Sequence, residues 1–357
     1  MISPRPPAAA HATSVSAADP KLIDASISLR GWSRIGTFLK CPQLFAYSRR
    51  LGVDLWGFAT DKGSLGHIIQ AHQHAHWGLE QSGQILAADH MYHDAADLYT
   101  PEGALSVACQ KEPRLYQHYD LLLEIFRRYM ARYPDPPGKI INVESQIIAV
   151  MGYKESPIFG SQWGLWVIDT QEFATETQLE QALQSRLEFT TCDGEALRAT
   201  PLDCPGHRDH GKPIYITRRV DLTVEANGRV WIWDHKHQAS ISGGKKVLAY
   251  AIDGGFALFR LMGAQLYGKR FGGVKLNLIQ TQDPWRIQRV IVQATPHRDT
   301  HLADLIWEAE HRLAMTEVGH TDFWAWPKTM NESVCYGRFG ACRAMNFCMH
   351  GKPSESA

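Results

Sequence analysis

The sequence predicts a soluble α/β domain, on three observations. Hydrophobic residues make up 44% of the 357-residue chain and charged residues 21%, which is the balance of a globular protein. Segments 33–39 and 115–133 carry apolar residues at helical spacing. Segment 219–236 instead contains two β-rich runs around Asn227-Gly228, the strongest short-range signal for a hairpin. A chain of this length buries about 75% of its unfolded surface, so its core needs no disulfides.

Charge, hydropathy and cysteine content exclude several classes of protein. Lys and Arg together number 37, as do Asp and Glu, so the formal charge is zero. A uniformly basic nucleic-acid coat is therefore excluded, although a local basic groove is not. No run of 18 apolar residues occurs, so we expect no membrane-spanning helix and no membrane partner. Seven cysteines without a secretory signal predict reduced or metal-bound thiols in the cytoplasm.

Capping and breaking residues set the elements expected near the N-terminus. Residues 1–28 are rich in Ala, Pro and Ser without an apolar period, so we expect a disordered tail. A targeting peptide is the alternative, but the segment has no apolar centre. Ser33 is the candidate N-cap of a first helix, which Cys41-Pro42 interrupts. A later helix carries His67.

Proline and glycine divide the middle of the chain. The helical period of 115–133 ends at a proline cluster that begins with Pro134. Residues 139–151 alternate as in a strand, and residues 176–188 have a helical pattern. Residues 189–213, with scattered Gly, Pro and Asp, are expected to form a loop or an insertion.

The turn at Asn227-Gly228 predicts a strand register. Counting outward from a two-residue type I′ loop places Asp221 opposite Asp234, and the side-chain period of two places Lys236 on the face of Asp234. Facing like charges are unfavourable unless they are compensated, and a divalent cation such as Mg²⁺ is the natural compensator. The alternatives are an exposed hairpin whose acids face water, or a bulge that breaks the pairing.

These residues are part of a larger pattern that resembles the PD-(D/E)XK nuclease superfamily. Within it, the chain is most similar to the RecB/AddB-like exonuclease branch, which includes CRISPR-associated adaptation exonucleases and phage relatives. Four segments match in the order of that family. They are Ser33–Phe38 with Cys41-Pro42 and Phe45, Gly63–His67, Val220–Leu222 with Asp234–Lys236, and the trio Cys335, Cys342 and Cys348. The match spans residues 33–348, and segments 85–135 and 155–215 carry no motif of the family.

The resemblance implies a restriction-endonuclease-like α/β fold, with a mixed central sheet flanked by helices. It implies one nuclease domain over residues 29–350, an iron–sulfur segment at about 320–350 that clamps the N- and C-terminal segments together, and a tail at 351–357. The implied activity is a Mg²⁺- or Mn²⁺-dependent exonuclease that acts on single-stranded or duplex DNA ends. The implied setting is DNA repair or recombination, phage replication or CRISPR adaptation, with the protein partners of such a complex.

The expected roles of the site residues follow from phosphodiester hydrolysis, which needs a positioned water and stabilised charge at phosphorus. We expect Asp221 and Asp234 to hold the metal ion. We expect Lys236 to orient or help deprotonate the attacking water and to stabilise the developing negative charge. By resemblance, His67 is a further metal ligand. Glu144 is either an additional acidic ligand or an ordinary strand-edge glutamate.

The other histidines near these motifs are expected to have no role in metal binding. His72, His74 and His76 cannot all converge with His67 on one face of a helix, so we assign them to a solvated surface. In the predicted register, the side chains of His235 and His237 point to the face of the strand opposite to Lys236.

Basic pairs near the site are candidate DNA contacts. The pairs that flank the site in sequence are Arg218-Arg219 and Lys245-Lys246. Such pairs are solvated by default, but beside a metal site they can hold phosphates. Candidates for stacking on unpaired bases are Tyr250, Phe256 and Trp285.

The cysteines form two groups. Those without metal-like spacing, expected to be inert thiols, are Cys109, Cys192 and Cys204. The other four are Cys41, Cys335, Cys342 and Cys348. Four thiolates suit a [4Fe–4S] cluster, and tetrahedral zinc accepts the same set. The wide spacing and the resemblance favour iron–sulfur.

The chain departs from the family in two places. Arg218-Arg219-Val220 precedes Asp221, where a glycine is common in the family, and one motif is missing. The Q-x-x-x-Y pair that often follows D-x-K is missing from segment 255–261, and Gln265 and Tyr267 are too close together to share a helix face. Two alternatives therefore stay open. One is a catalytically weak or inactive DNA-end-binding subunit with the nuclease fold, and the other is a zinc-stapled regulatory protein without a nucleic-acid role.

Overall fold

The structure, a computed structural model, describes most of the chain between Pro20 and Cys348. The described ranges are 20–23, 30–52, 58–87, 95–173, 175–241, 244–329, 331–337, 340–342, 344–345 and 348. The helices are α1 Trp32–Lys40, α2 Pro42–Phe45, α3 Phe58–Ser82, α4 Pro101–Lys111, α5 Tyr119–Arg132, α6 Glu176–Ser185, α7 Gly244–Ala251, α8 Gly254–Tyr267, α9 Pro296–Asp299, α10 Leu302–Gly319 and α11 Glu332–Cys335. A π-helical turn, Ala46–Arg50, continues α2.

A mixed sheet forms the centre of the molecule. Its strands are β1 Lys139–Ser156, β2 Gly160–Val167, β3 Glu188–Thr190, β4 Ala196–Ala199, β5 Tyr215–Ala226, β6 Arg229–Gln238, β7 Phe271–Gln280 and β8 Ile287–Val292. The strand order is β3-β4-β1-β5-β6-β7-β8, and β2 pairs with β1. The β6–β7 pair is parallel and the other pairs are antiparallel. Short strands β9 Tyr336–Gly337 and β10 Gly340–Ala341 form a separate hairpin.

Helices cover both faces of the sheet, because its strands alternate apolar side chains between the two faces. On one face, Val220 and Ile232 pack with Phe256 and Phe259 of α8. On the other face, Leu222, Trp233 and neighbouring strand residues pack with α3, α4 and α5. The mixed central sheet flanked by helices that the sequence analysis predicts is therefore confirmed.

Two of the helices that pack on the sheet form for local reasons. The side chain of Asp253 accepts hydrogen bonds from the backbone N–H groups of Gly255 and Phe256, at 2.8 and 3.3 Å, and so caps the N-terminus of α8. Helix α5 buries an i, i+3, i+4, i+7 stripe against the sheet. Its members are Leu122, Ile125, Phe126 and Tyr129.

The hairpin at Asn227-Gly228 has the predicted turn and register. Both turn residues have left-handed φ angles, 53° and 70°, as a type I′ turn requires. Ala226 pairs with Arg229, and the ladder continues to Leu222 opposite Trp233. The pairing of β5 with β6 ends there, one residue before Asp221 and Asp234.

Three local expectations differ from the structure. Helix α1 begins after Gly31, so Ser33 lies inside the helix instead of capping it. The expected loop at 189–213 contributes to β3 and contains β4, because Phe189 and Leu197 bury against a small satellite core. Residues 20–23 belong to the segment expected to be disordered, yet Ile23 is buried. The rest of 1–28 and the tail at 351–357 lie outside the described residues.

The N- and C-terminal segments of the domain pack together. Phe38 and Phe45 share a buried cluster with Leu313 and Trp326, and the Phe45 and Trp326 rings stack at 6.0 Å. The backbone N–H of Gln43 donates to the carbonyl of Pro327 at 3.1 Å. These contacts join the two segments that the iron–sulfur clamp was expected to join. Among the helices described, none is both long and apolar enough to cross a membrane.

Candidate metal and catalytic site

The candidate site lies where β5 and β6 separate beyond the end of their ladder. One oxygen of the Asp221 side chain accepts a hydrogen bond from the backbone N–H of His235 at 2.6 Å. This contact replaces a strand–strand hydrogen bond and holds the carboxylate between the two strands. Both predicted acids are buried there, since Asp221 is 8% exposed and Asp234 is 2% exposed.

Three ligand-type side chains converge on this point. Ligand atoms of His67, Glu144 and Asp221 all lie within 4.8 Å of one another. His67 Nδ1 is 3.5 Å from an Asp221 oxygen. One imidazole and two carboxylates form a hard, mainly oxygen donor set, which suits Mn²⁺ or Mg²⁺. The residues present therefore fit the divalent metal ion that the resemblance implies.

The backbone at Glu144 explains how this side chain reaches the site. Val143 pairs with Leu222 and Ser145 pairs with Val220, so Glu144 lies opposite Asp221 on β1. Its φ angle is 51°, in the left-handed region that side-chain-bearing residues seldom adopt. Glu144 is 4% exposed, which excludes the alternative of an ordinary solvated strand-edge glutamate.

Helix α3 brings His67 to the sheet through a close approach at Gly66. A Cβ atom at Gly66 would lie 2.4 Å from the nearest imidazole atom of His237, so only glycine permits this separation. The His67 and His237 rings are 5.7 Å apart as a consequence. Segment Gly63–His67, which the resemblance singled out, thus lies directly on β6.

Asp234 and Lys236 form an ion pair beside the three ligand residues. Lys236 Nζ is 2.6 Å from an Asp234 oxygen, and the Arg218 guanidinium is 3.8 Å from the other oxygen. Asp234 does not belong to the group of three ligand atoms that lie within 4.8 Å. Its role as a metal ligand stays a prediction, and its described contacts are the two cations.

The charge of Lys236 is set by its carboxylate neighbours. Burial alone lowers the pKa of Lys236, but the carboxylates of Asp234 and Asp221 outweigh it, so the pKa lies above its ordinary value. The protonated form can orient water and stabilise negative charge, whereas the neutral form needed to take a proton is disfavoured. Of the two roles expected for Lys236, the electrostatic role is the one this environment favours.

Burial raises the pKa of the Asp221 carboxyl, and the nearby charge of Asp234 adds to this effect while His67 opposes it. Its ordinary value is 3.8. The folded protein without metal therefore holds this proton more tightly than the unfolded chain does. The resulting stabilisation is fully present below pH 3.8 and is lost as the pH rises through the higher folded value.

Asp221→Asn is therefore expected to stabilise the metal-free protein at neutral pH, by on the order of 1 kcal/mol, because a buried ionised group is removed. The same change should abolish the rise in melting temperature on addition of Mn²⁺, because a ligand is lost. Thermal unfolding in EDTA and in Mn²⁺ measures both effects. Asp120→Asn, at an exposed position of α5, is the matched control. A lower melting temperature in EDTA together with an intact response to Mn²⁺ would contradict the assignment.

The histidines expected on a solvated surface are in fact buried. His72 and His74 are 0% exposed. His72 Nε2 accepts from the backbone N–H of Ile23 at 2.9 Å, and burial lowers the pKa of His72 to about 4. The surface assignment is wrong because Ile23 and Tyr99 cover His72, while His235 of strand β6 covers His74. His76, which is partly exposed, contacts the Tyr99 carbonyl through its ring.

A buried polar group behind the site was missed by sequence reasoning. The His74 and His235 rings stack 4.8 Å apart, and Asn277 Nδ2 lies 3.0 Å from His235 Nδ1. Burial lowers the pKa of His235 well below its ordinary value, so the ring is neutral. These contacts hold His235 in place, and the backbone N–H of His235 is the group that donates to Asp221. A signal for His235 existed in its position between Asp234 and Lys236, but no signal pointed to Asn277.

A glutamine and a tyrosine meet near the site although the Q-x-x-x-Y motif is missing. The Gln238 side chain at the end of β6 donates to the Tyr250 hydroxyl on α7. Gln265 has a structural role instead, since it accepts from the N–H of Val167 and donates to the carbonyl of Leu165. Of the predicted stacking residues, Tyr250 is partly exposed and Phe256 is buried in the core.

The four predicted basic residues differ in their relation to the site. Arg218 contacts Asp234, and its guanidinium lies over the Phe259 ring at 4.0 Å. Arg219 lies on β5 opposite Gln146 and is partly exposed. Lys245 and Lys246 are on α7, but their side chains lie outside the described part of the structure.

The predicted cluster cysteines lie in one region of the fold. Cys41, Tyr47 and Ala344 form a buried group, with Cys342 and Cys348 packed against it. The Cys342 backbone N–H donates to the Cys335 carbonyl, which brings the fourth cysteine to the same segment. All are free thiols, as are the three predicted inert cysteines. Four thiols of this kind fit an iron–sulfur cluster, which binds through thiolates.

Tyr47 lies beside Cys41 and Cys348. Its hydroxyl is hydrogen-bonded to the Cys348 side chain, and burial raises the pKa of Tyr47 to about 12, so the hydroxyl keeps its proton as a donor. A donor aimed at a sulfur stabilises the thiolate form that iron requires.

Comparison with known proteins adds a weak structural likeness. No family model matches the chain, and a search of curated proteins found no significant match. Among solved structures, a protein of Eubacterium rectale that is described provisionally as an exonuclease superposes with a TM-score of 0.36 and 10% sequence identity. The match covers 92% of this chain and 90% of that chain. A likeness at this TM-score does not decide the function, for which the geometry of the site is the better guide.

Proposed function

We propose that this protein is a divalent-metal-dependent deoxyribonuclease, with His67, Glu144 and Asp221 as metal ligands. The observation that carries the proposal is the convergence of these three ligand atoms within 4.8 Å, next to the ion pair between the buried Asp234 and the partly exposed Lys236. Metal ligands, a further carboxylate and a cation in one place are the groups that phosphodiester hydrolysis needs.

In this proposal, the chain's own residues bind, orient and stabilise. A Mg²⁺ or Mn²⁺ ion, when bound, supplies Lewis-acid activation of water and charge neutralisation at the scissile phosphate. Lys236 orients the attacking water and stabilises the negative charge that develops on the phosphoryl oxygens. Asp234 holds Lys236 in place, and the N–H of His235 holds Asp221. Arg218, on the other side of Asp234, is positioned to contact a phosphate.

We further propose that hydrolysis proceeds from DNA ends, and that a [4Fe–4S] cluster on the four cysteines joins the terminal segments. End dependence derives from the family resemblance. The cluster is supported by the packing of Cys41 with Cys342 and Cys348 and by the Tyr47 donor. Its role is structural, because the cysteines lie in a cluster separate from the residues around Asp221.

The test uses anaerobically purified full-length protein with Mn²⁺, Mg²⁺ or EDTA. End-labelled linear DNA and covalently closed circular DNA are incubated in parallel. We expect metal-dependent degradation of linear DNA alone. Metal-dependent cutting of the circles would still support the metal site, but it would show that the enzyme is an endonuclease. Absence of cutting by folded, iron-loaded protein that still binds DNA would contradict the enzyme and favour the DNA-end-binding subunit.

A further inference from the structure

A groove that is separate from the metal ligands opens at the edge of the sheet. Its volume is about 650 Å³, and its lining includes Arg128, Arg132, Ile241, Trp285 and Arg286. Helix α5 provides the first two arginines, and the connection between β7 and β8 provides Trp285 and Arg286. The groove therefore combines three cations with one large aromatic ring.

The topology places this groove at the same end of the sheet as the candidate site. Because β6 and β7 are parallel, their C-terminal ends lie at one edge. Strand β6 runs from Asp234 and Lys236 to Gln238, whose carbonyl accepts from the N–H of Thr281 at 2.7 Å. The side chain of Gln280 accepts from the N–H of Ile241, a lining residue, at 3.4 Å. Gln238 is two residues beyond Lys236, or about 7 Å along the strand.

Two of the three cations of the groove are available to an anionic ligand. Arg132 and Arg286 are exposed, and neither forms a salt bridge among the described residues. The Nε of Arg132 donates to the Tyr133 hydroxyl at 3.2 Å, which leaves its charge without an anion. Arg128 is paired with Glu124 at 2.7 Å, and its guanidinium lies over the Trp285 ring at 4.0 Å. Two unneutralised guanidinium groups near a nuclease site suit phosphate oxygens.

Trp285 offers a stacking surface that the bases of a DNA duplex cannot use. The residue is half-buried, so part of its ring faces the groove while Arg128 covers another part. An aromatic ring beside cations is the combination that binds single strands, because an unpaired base can stack on the ring while the backbone phosphates contact the arginines. In a duplex the bases are stacked on each other and are not available.

We propose that this groove binds single-stranded DNA next to the catalytic site, with phosphates on Arg132 and Arg286 and a base on Trp285. The proposal rests on the proposed nuclease function and deepens it, since it names an unpaired strand as the substrate form. It assigns to Arg132 and Arg286 a role that the motifs around the site do not contain.

The experiment measures binding separately from cutting. Wild-type protein and variants are titrated in EDTA against a fluorescein-labelled oligothymidylate of about 20 nucleotides, and against a duplex of the same length, by fluorescence anisotropy at several salt concentrations. The variants are Arg132→Glu/Arg286→Glu, Trp285→Ala and Trp285→Phe. Arg229→Glu is the matched control, because Arg229 is exposed and lies at the opposite end of β6.

The double charge reversal should weaken binding of the single strand about tenfold or more and reduce the magnitude of the log–log salt slope by about 1.4, the value for two lost phosphate contacts. Trp285→Ala should weaken binding about fivefold or more without a change in slope, and Trp285→Phe should keep most of the affinity because a ring is retained. Arg229→Glu should bind as the wild type does.

Two results would overturn the groove. One is a double variant with unchanged melting temperature and wild-type affinity, and the other is an equal loss of affinity for the duplex. The fate of the proposed function is read separately, from cutting by the wild type. If the wild type cuts DNA and the groove variants bind it unaltered, the nuclease function stands and the groove proposal fails. If the groove variants bind more weakly but the wild type does not cut, the groove proposal stands and the nuclease function fails.

Discussion

Asp234→Asn is expected to lower the rate of DNA hydrolysis by about three orders of magnitude, while the protein stays folded. The buried carboxylate of Asp234 contacts both Lys236 and Arg218, so its removal leaves two cations without their anion. If Asp234 also completes the coordination of the metal, its loss removes several kcal/mol of transition-state stabilisation, and about 4 kcal/mol corresponds to a thousandfold in rate. The measurement is the initial rate of release of labelled nucleotides from linear DNA.

Two controls make the result for Asp234 specific. Asp304→Asn changes an exposed aspartate on α10 in the same way and should leave the rate unchanged. Circular dichroism and the melting temperature test whether the substituted protein is folded. A folded, iron-loaded Asp234→Asn protein that cuts DNA within threefold of the wild-type rate would refute the assignment of Asp234.

Cys41→Ser is expected to remove the cluster and to lower the free energy of unfolding by about 5 kcal/mol. The cluster would cross-link Cys41 to cysteines that begin at Cys335, and a cross-link that closes a loop of roughly 300 residues restricts the unfolded chain by about that amount in the loop-entropy treatment. For a domain of this size, a loss of about 5 kcal/mol lowers the melting temperature by roughly 10 °C. Bound iron and sulfide, visible absorbance and thermal unfolding are measured on anaerobically purified protein.

Cys192→Ser is the matched control for the cluster. Cys192 is half-buried and its thiol donates to the carbonyl of Gln265, a hydrogen bond that serine can replace. The control should retain iron and the wild-type melting temperature. Equal iron contents in the two variants would refute the cluster. Stoichiometric zinc instead of iron in the wild type would show that the four cysteines bind zinc.

Local sequence signals were enough to predict the hairpin and the neighbourhood of Asp234 and Lys236. Asn227 and Gly228 adopt left-handed φ angles with little strain, so the turn type follows from two residues and the register follows from the turn. The alternation of side chains then puts Lys236 on the same face as Asp234, where the two form an ion pair. These relations extend over fewer than twenty residues, and short-range geometry determines them.

The position of Glu144 shows where such reasoning stops. Alternation along β1 gives no reason for a buried glutamate, and its left-handed φ angle is a property of the packed sheet. Likewise, the pattern of α3 alone predicts that the polar residues His72 and His74 lie at the surface, but segment 20–23 and strand β6 bury them. Burial of a polar residue depends on what packs against it, and periodicity within one element carries no information about its neighbour.

The sequence by itself therefore determined the α/β class, the hairpin, its register and the residue types from which a metal site can be built. Tertiary structure decided which of these residues meet. The close approach of α3 at Gly66 brings His67 to Asp221, the distortion of β1 brings Glu144, and the parallel β6–β7 pair puts the C-terminal ends of both strands at one edge of the sheet. Contacts between residues far apart in sequence require the whole chain to close around one core, and this is a property that no local pattern contains.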